Sequence, residues 1–139
     1  MLGGHCIKGW AKTQAVLALS SAEAGLYASV KASAEALGLA SVMKDLGRKV
    51  KGIEVIGDAS AALGIIKRQG LGKLRHIEVG YLCLQDAVAE KRLSVHKCRG
   101  EDNPADLGTK HLSGEVIQRH LITLGYHLED GRFSVVPET

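Results

Sequence analysis

Aromatic side chains are scarce: one Trp, three Tyr and one Phe make 4% of 139 residues. Any core must therefore be aliphatic and alanine-rich. Cysteine is nearly as rare. Cys6, Cys83 and Cys98 are an odd count without the paired spacing of a zinc site or a disulfide framework. They are expected to be reduced thiols of an intracellular protein, in cytoplasm or nucleus. No apolar run is long enough to span a bilayer, so no membrane partner is expected. The amino terminus also lacks the charged, apolar and cleavage regions of a secretory signal. Neither charge sign dominates: Lys plus Arg is 18 and Asp plus Glu is 15, a net charge of +3. That permits a polyanionic partner without requiring one. Hydrophobic residues at 45% and charged residues at 24% are ordinary for a globular protein and argue against disorder.

What is present is a strand running into a helix. Ile53, Val55 and Ile56 form a β-branched run that ends at Gly57-Asp58, and a helical stretch from Ala59 to Arg68 follows. The carboxyl edge of a sheet in an open α/β fold is where chemistry gathers, and Asp58 stands there. Upstream, His5–Trp10 reads as a short strand. Ser20 to Leu46 reads as a long helix: Ser20 and Glu23 fit a capping box, and Gly47 is a stop. Ala22, Leu26, Val30, Ala34, Leu37 and Ser41 would form its buried stripe.

After a basic loop, Gly70 to Arg75, comes a helix from His76 to Glu90 with Ile77, Tyr81, Leu84 and Val88 on one face. A half-exposed strand spans Leu93 to Cys98. Asn103-Pro104 opens another helix, with Asp106 in its first turn. Ser113 can cap a last helix, with Val116, Ile117, His120, Leu121 and Leu124 inward and Gly125 at its end. Tyr126 to Val136 alternates around Asp130-Gly131, a hairpin signal. Strands alternating with helices give an α/β fold with parallel pairs.

Asp58 and Asp106 are the two carboxylates singled out by position. If their strands are parallel neighbours, both acids reach one sheet edge, where converging carboxylates hold Mg²⁺. Two such ions clamp the attacking and leaving oxygens of a phosphodiester. Other readings stand beside this one. Asp58 can cap the following helix, and Asp106 can offset a helix dipole. Glu23 fits the capping box, and His96 with Cys98 fits an ordinary strand face better than a metal site. Arg75-His76 and Lys110-His111 are either phosphate contacts or solvated basic surface.

Four segments together carry a family resemblance: Ala18-Leu-Ser-Ser-Ala-Glu-Ala24, Gly57-Asp-Ala-Ser-Ala-Ala62, Arg75-His-Ile-Glu-Val79 and Asn103-Pro-Ala-Asp-Leu-Gly-Thr-Lys-His-Leu112. In order and spacing they resemble the ribonuclease H domain at the carboxyl end of a copia-type retrotransposon polyprotein. Leu2-Gly3-Gly4 and Ile7-Lys8-Gly9-Trp10 resemble its lead-in. The likeness runs from about Leu2 to about Leu124, giving an expected domain over 1–125 and a tail over 126–139. It implies a five-stranded mixed sheet flanked by helices, and metal-dependent hydrolysis of RNA in RNA–DNA hybrids by four acids around two Mg²⁺ (or Mn²⁺) ions. Asp58 and Asp106 match two of those acids.

The resemblance also implies departures. The family's first Asp lies on a strand that would precede Met1, so the first one or two strands are expected to be lacking. The family's helical Glu falls at Gly25. Glu23 cannot replace it, because two helical positions are roughly 200° apart. The expected metal site is weak or empty, since Mg²⁺ wants near-octahedral ligands. The expected activity is trace at most, and the expected sheet has an open edge prone to self-association. The alternative is a binding module for nucleic acid or protein on the same scaffold, with Lys73, Arg75, Lys110 and Arg119 as basic contacts.

Overall fold

The computed structural model describes residues 1–13, 18, 20–67, 79–129 and 132–135. Lys73, Arg75 and most of the Arg75–Val79 segment lie outside them. The chain is α/β and divides into two compact units, one of residues Gln14–Cys98 and one of Met1–Thr13 with Arg99–Thr139.

The first unit holds α1 (Ser21–Asp45), β1 (Glu54–Gly57), α2 (Ser60–Ile66), α3 (Val79–Ala89) and β2 (Ser94–Lys97). Helix α1 begins where the Ser20 hydroxyl accepts the N–H of Glu23. It ends in a complete Schellman motif. The N–H of Gly47 bonds the Lys44 carbonyl and that of Arg48 bonds the Met43 carbonyl, while Gly47 takes φ +74°. The buried stripe differs from the expected one. Leu26 and Ser33 are buried and Val30 and Leu37 pack on the core, whereas Ala34 and Ser41 face solvent. The stripe thus steps through 26, 30, 33 and 37. Alanine spacing alone did not fix the face, because Ala and Ser carry too little apolar area to decide it.

β1 and β2 pair in parallel, Val55 opposite Val95 and Ile56 opposite His96. Val55 and Val95 are buried, and Ile56 on the other face is 59% exposed. The connection between them contains α2 and α3, as a parallel pair requires. Leu26, Val55, Ala62, Leu63, Ile66, Tyr81, Leu84, Ala87, Leu93 and Val95 form one buried cluster, so the core is aliphatic apart from a single tyrosine. Gln85 is buried too, and its side-chain amide donates to the Ile65 carbonyl at 3.1 Å, satisfying a group at the end of α2.

The second unit opens on a tight turn. Leu2 and His5 exchange both backbone hydrogen bonds around Gly3 (φ +56°) and Gly4 (φ +84°). Two positive φ angles in the centre of a hairpin turn require glycine or an equivalent residue. The strand expected over His5–Trp10 does not form among the described residues. A strand needs a ladder, and the backbone bond seen there is the Cys6 N–H to Leu124 carbonyl, at 3.3 Å.

Beyond it come two 3₁₀ turns, Gly100–Asp102 and Pro104–Gly108, then α4 (Gly114–Thr123), β3 (Tyr126–Glu129) and β4 (Arg132–Val135). The helix expected at Pro104 is therefore 3₁₀, capped by the Asn103 side chain on the Ala105 N–H at 3.2 Å. Ser113 sits at the N-cap of α4 but makes no side-chain cap bond. Ile117 faces solvent rather than inward, while His120 is 2% exposed. β3 and β4 pair antiparallel, Glu129 opposite Arg132. The expected single mixed sheet is thus, among the described residues, two separate two-stranded sheets.

Two substitutions test this packing. Ser33 is 3% exposed and its hydroxyl has no hydrogen-bond partner among the described residues. Ser33→Ala removes an unsatisfied group and raises helix propensity, and should stabilise the protein by about 1 kcal/mol in urea unfolding. Lys91 ends α3 at φ +59°, where glycine is the unstrained choice. Lys91→Gly should stabilise by about 0.5–1 kcal/mol in the same measurement.

Candidate functional site

Asp58 directly follows β1 and is exposed. The N-cap of α2 is Ala59, at φ −73° and ψ 90°, and no side chain caps that helix end. Asp58 therefore does not serve as the helix cap. Among the described residues it makes no hydrogen bond or ion pair, so its oxygens remain available at the carboxyl end of the strand.

Position 25 points at the same place. A Cβ built on Gly25 would lie 2.6 Å from the Ala59 Cβ and 3.4 Å from the Ala62 Cβ. The first separation is far inside van der Waals contact, and the obstacle is fixed to backbone rather than carried on a flexible side chain. Gly25 is what lets α1 close on the start of α2. A side chain at 25 would project onto the residue that follows Asp58. Glu23, in contrast, is engaged within α1: its N–H bonds Ser20 and its carboxylate accepts from the Tyr27 hydroxyl at 3.4 Å.

Asp106, in the second unit, is in a different state. It is 9% exposed, and its Oδ2 accepts from Lys110 Nζ at 2.9 Å. Lys110 also bonds the Asp106 carbonyl through its own N–H at 2.9 Å, so one residue grips both ends of the aspartate. Asp106 is therefore charge-compensated within its own turn. This partner was legible as a four-residue spacing, but the reading of Lys110 as a phosphate contact passed over it. Arg119, the other described basic candidate, donates from Nη2 to the Glu101 carbonyl at 2.7 Å. Lys73 and Arg75 lie outside the described residues.

His96 Nε2 lies 3.1 Å from the Ser94 hydroxyl on the same strand. Among the described residues no three His, Cys, Asp or Glu side chains gather as a metal-binding group. No helix among the described residues is long and apolar enough to cross a membrane.

Over 108 residues, 77% of its length, the chain is 31% identical to the retrovirus-related Pol polyprotein from transposon TNT 1-94 of Nicotiana tabacum. The match supports a retrotransposon Pol origin. The chain spans 8% of that polyprotein's length. No protein-family model matches the sequence, and no solved structure matches it significantly. For a retroelement-derived chain, the question at the site becomes whether position 25 can carry any side chain at all.

A double-mutant cycle answers it. Gly25→Ala should destabilise by about 1–3 kcal/mol despite the better helix propensity of alanine. Ala59→Gly alone should be close to neutral, because glycine is at least as good an N-cap as alanine. The pair together should recover most of the loss, a coupling read directly from urea midpoints. Additive losses would mean that the two residues do not touch.

Proposed function

We propose that the chain is a ribonuclease H-like domain of a retrotransposon Pol polyprotein, that its hydrolytic site is disabled, and that it holds nucleic acid without cutting it. The observation that carries this reading is the 2.6 Å approach of a Gly25 Cβ to Ala59. In the resembling family, a helical Glu stands at the position Gly25 occupies and works with the acid that Asp58 matches. Position 25 does face the end of β1 here, which is consistent with that register, and the space for a carboxylate is taken by α2. The pairing of Asp106 with Lys110 adds to the case, since that carboxylate is already compensated.

A divalent cation, Mg²⁺ or Mn²⁺, is accordingly bound weakly if at all in this reading. Asp58 and Asp106 remain the residues proposed for the family's chemistry, and no catalytic step is assigned to them in this chain. An RNA–DNA hybrid is the proposed partner. Lys73, Arg75, Lys110 and Arg119 are its proposed basic contacts, with Lys110 and Arg119 also holding local partners.

The test is an end-labelled RNA–DNA hybrid incubated with the chain in Mg²⁺ and in Mn²⁺. The expected result is no cleavage above that of Asp58→Asn. Metal-dependent cleavage that disappears in Asp58→Asn would contradict the reading.

A second experiment asks whether the missing carboxylate is the defect. Gly25→Glu combined with Ala59→Gly supplies an acid and the room for it. Mn²⁺ affinity, followed by water-proton relaxation, should rise about tenfold over Ala59→Gly alone, a difference of about 1.4 kcal/mol.

A further inference from the structure

Trp10 has no place in the core just described. It is the sole tryptophan of the chain, and it leaves 48% of its surface in solvent. A residue of this type normally earns its place by burial, because its ring carries one of the largest apolar surfaces available. Here a cation attends it instead: Lys8 Nζ lies 5.3 Å from the ring centroid. Lys12 is exposed two residues further on. From Met1 to Ser20 the chain carries Lys8 and Lys12 and not one acidic side chain.

This segment is tethered at both ends within its own unit. The Cys6 N–H bonds the Leu124 carbonyl at 3.3 Å. Ala11, between Trp10 and Lys12, lies where a Cβ on Gly108 would approach it to 3.2 Å. Ala11 therefore lies close to the 3₁₀ turn at Gly108.

We propose that Lys8, Trp10 and Lys12 form a binding site for single-stranded nucleic acid, in which an unpaired base stacks on Trp10 and the two ammonium groups meet the flanking phosphates. Stacking of a base on an aromatic side chain contributes about 1–3 kcal/mol, is indifferent to sequence, and needs an exposed ring beside positive charge. A duplex hides its base faces and offers no such partner. The site uses neither Asp58 nor Asp106 and needs no metal ion, so it stands apart from the hydrolytic reading.

The sole tryptophan makes the test direct. A twelve-residue oligothymidylate is titrated into the full chain in EDTA, and tryptophan emission is recorded. Emission should be quenched on binding, and a base-paired duplex of the same length should quench far less. By anisotropy of a labelled oligothymidylate, Trp10→Ala should weaken binding about tenfold, and Trp10→Phe should regain part of that loss. Circular dichroism should show the parent fold for both, since the ring is not a core residue. Each of Lys8→Ala and Lys12→Ala should lower the slope of log affinity against log salt by about 0.7.

Binding in EDTA, where no metal-dependent site is filled, separates this site from the proposed hydrolytic one. Unchanged emission at saturating oligonucleotide, or Trp10→Ala binding as tightly as the parent, would overturn the proposal. So would equal quenching by the duplex.

Discussion

The contact between Gly25 and the start of α2 sets the geometry of the first unit. Helix α1 can close on α2 only where it has no side chain, and a single β-carbon at that point would stand 2.6 Å from its neighbour. The close approach brings Leu26, the next residue, into the cluster with Val55, Ala62 and Leu63. It also delivers position 25 to the residue after Asp58. The same feature thus packs the core and occupies the space in which a second carboxylate would have to stand. Tight packing tolerates little added volume, so the two roles compete.

That competition gives physical content to the proposal of a disabled site. Losing an acid by substitution leaves a gap that a later substitution could refill. Here the neighbouring helix stands in contact, so a side chain at the position requires a compensating change at Ala59. Asp106, in the second unit, is paired with the charge of Lys110 in its own turn. Asp58 has an exposed carboxylate without a partner among the described residues, and one carboxylate by itself is a poor metal ligand because it leaves Mg²⁺ mostly hydrated.

Much of the first unit was legible in the sequence, for identifiable reasons. Ser20, Glu23 and Gly47 mark the ends of α1 through hydrogen bonds that depend on local residues. The β-branched run at Ile53–Ile56 and the alternation at Leu93–Cys98 become paired strands because each has one buried face. What could not be read was anything set by a distant partner. The inward face of α1 depends on which small residues meet α2, and Gly25 looks the same in sequence whether it is crowded or free. His5–Trp10 has the composition of a strand, but the ladder that a strand requires comes from elsewhere in the chain. Asp106 was found by position, and its ion pair with Lys110 was legible too, because four residues of separation bring the two side chains together in an α-type turn.

The most direct test of this account is a crystal structure of the chain carrying the single substitution Gly25→Glu. The account expects Ala59 and the first turn of α2 to be displaced by about 1 Å or more, since a β-carbon pair cannot remain at 2.6 Å. If α2 instead keeps its place, with the new carboxylate lying beside Asp58, the site lacks only a side chain. The claim that packing has closed it would then be contradicted.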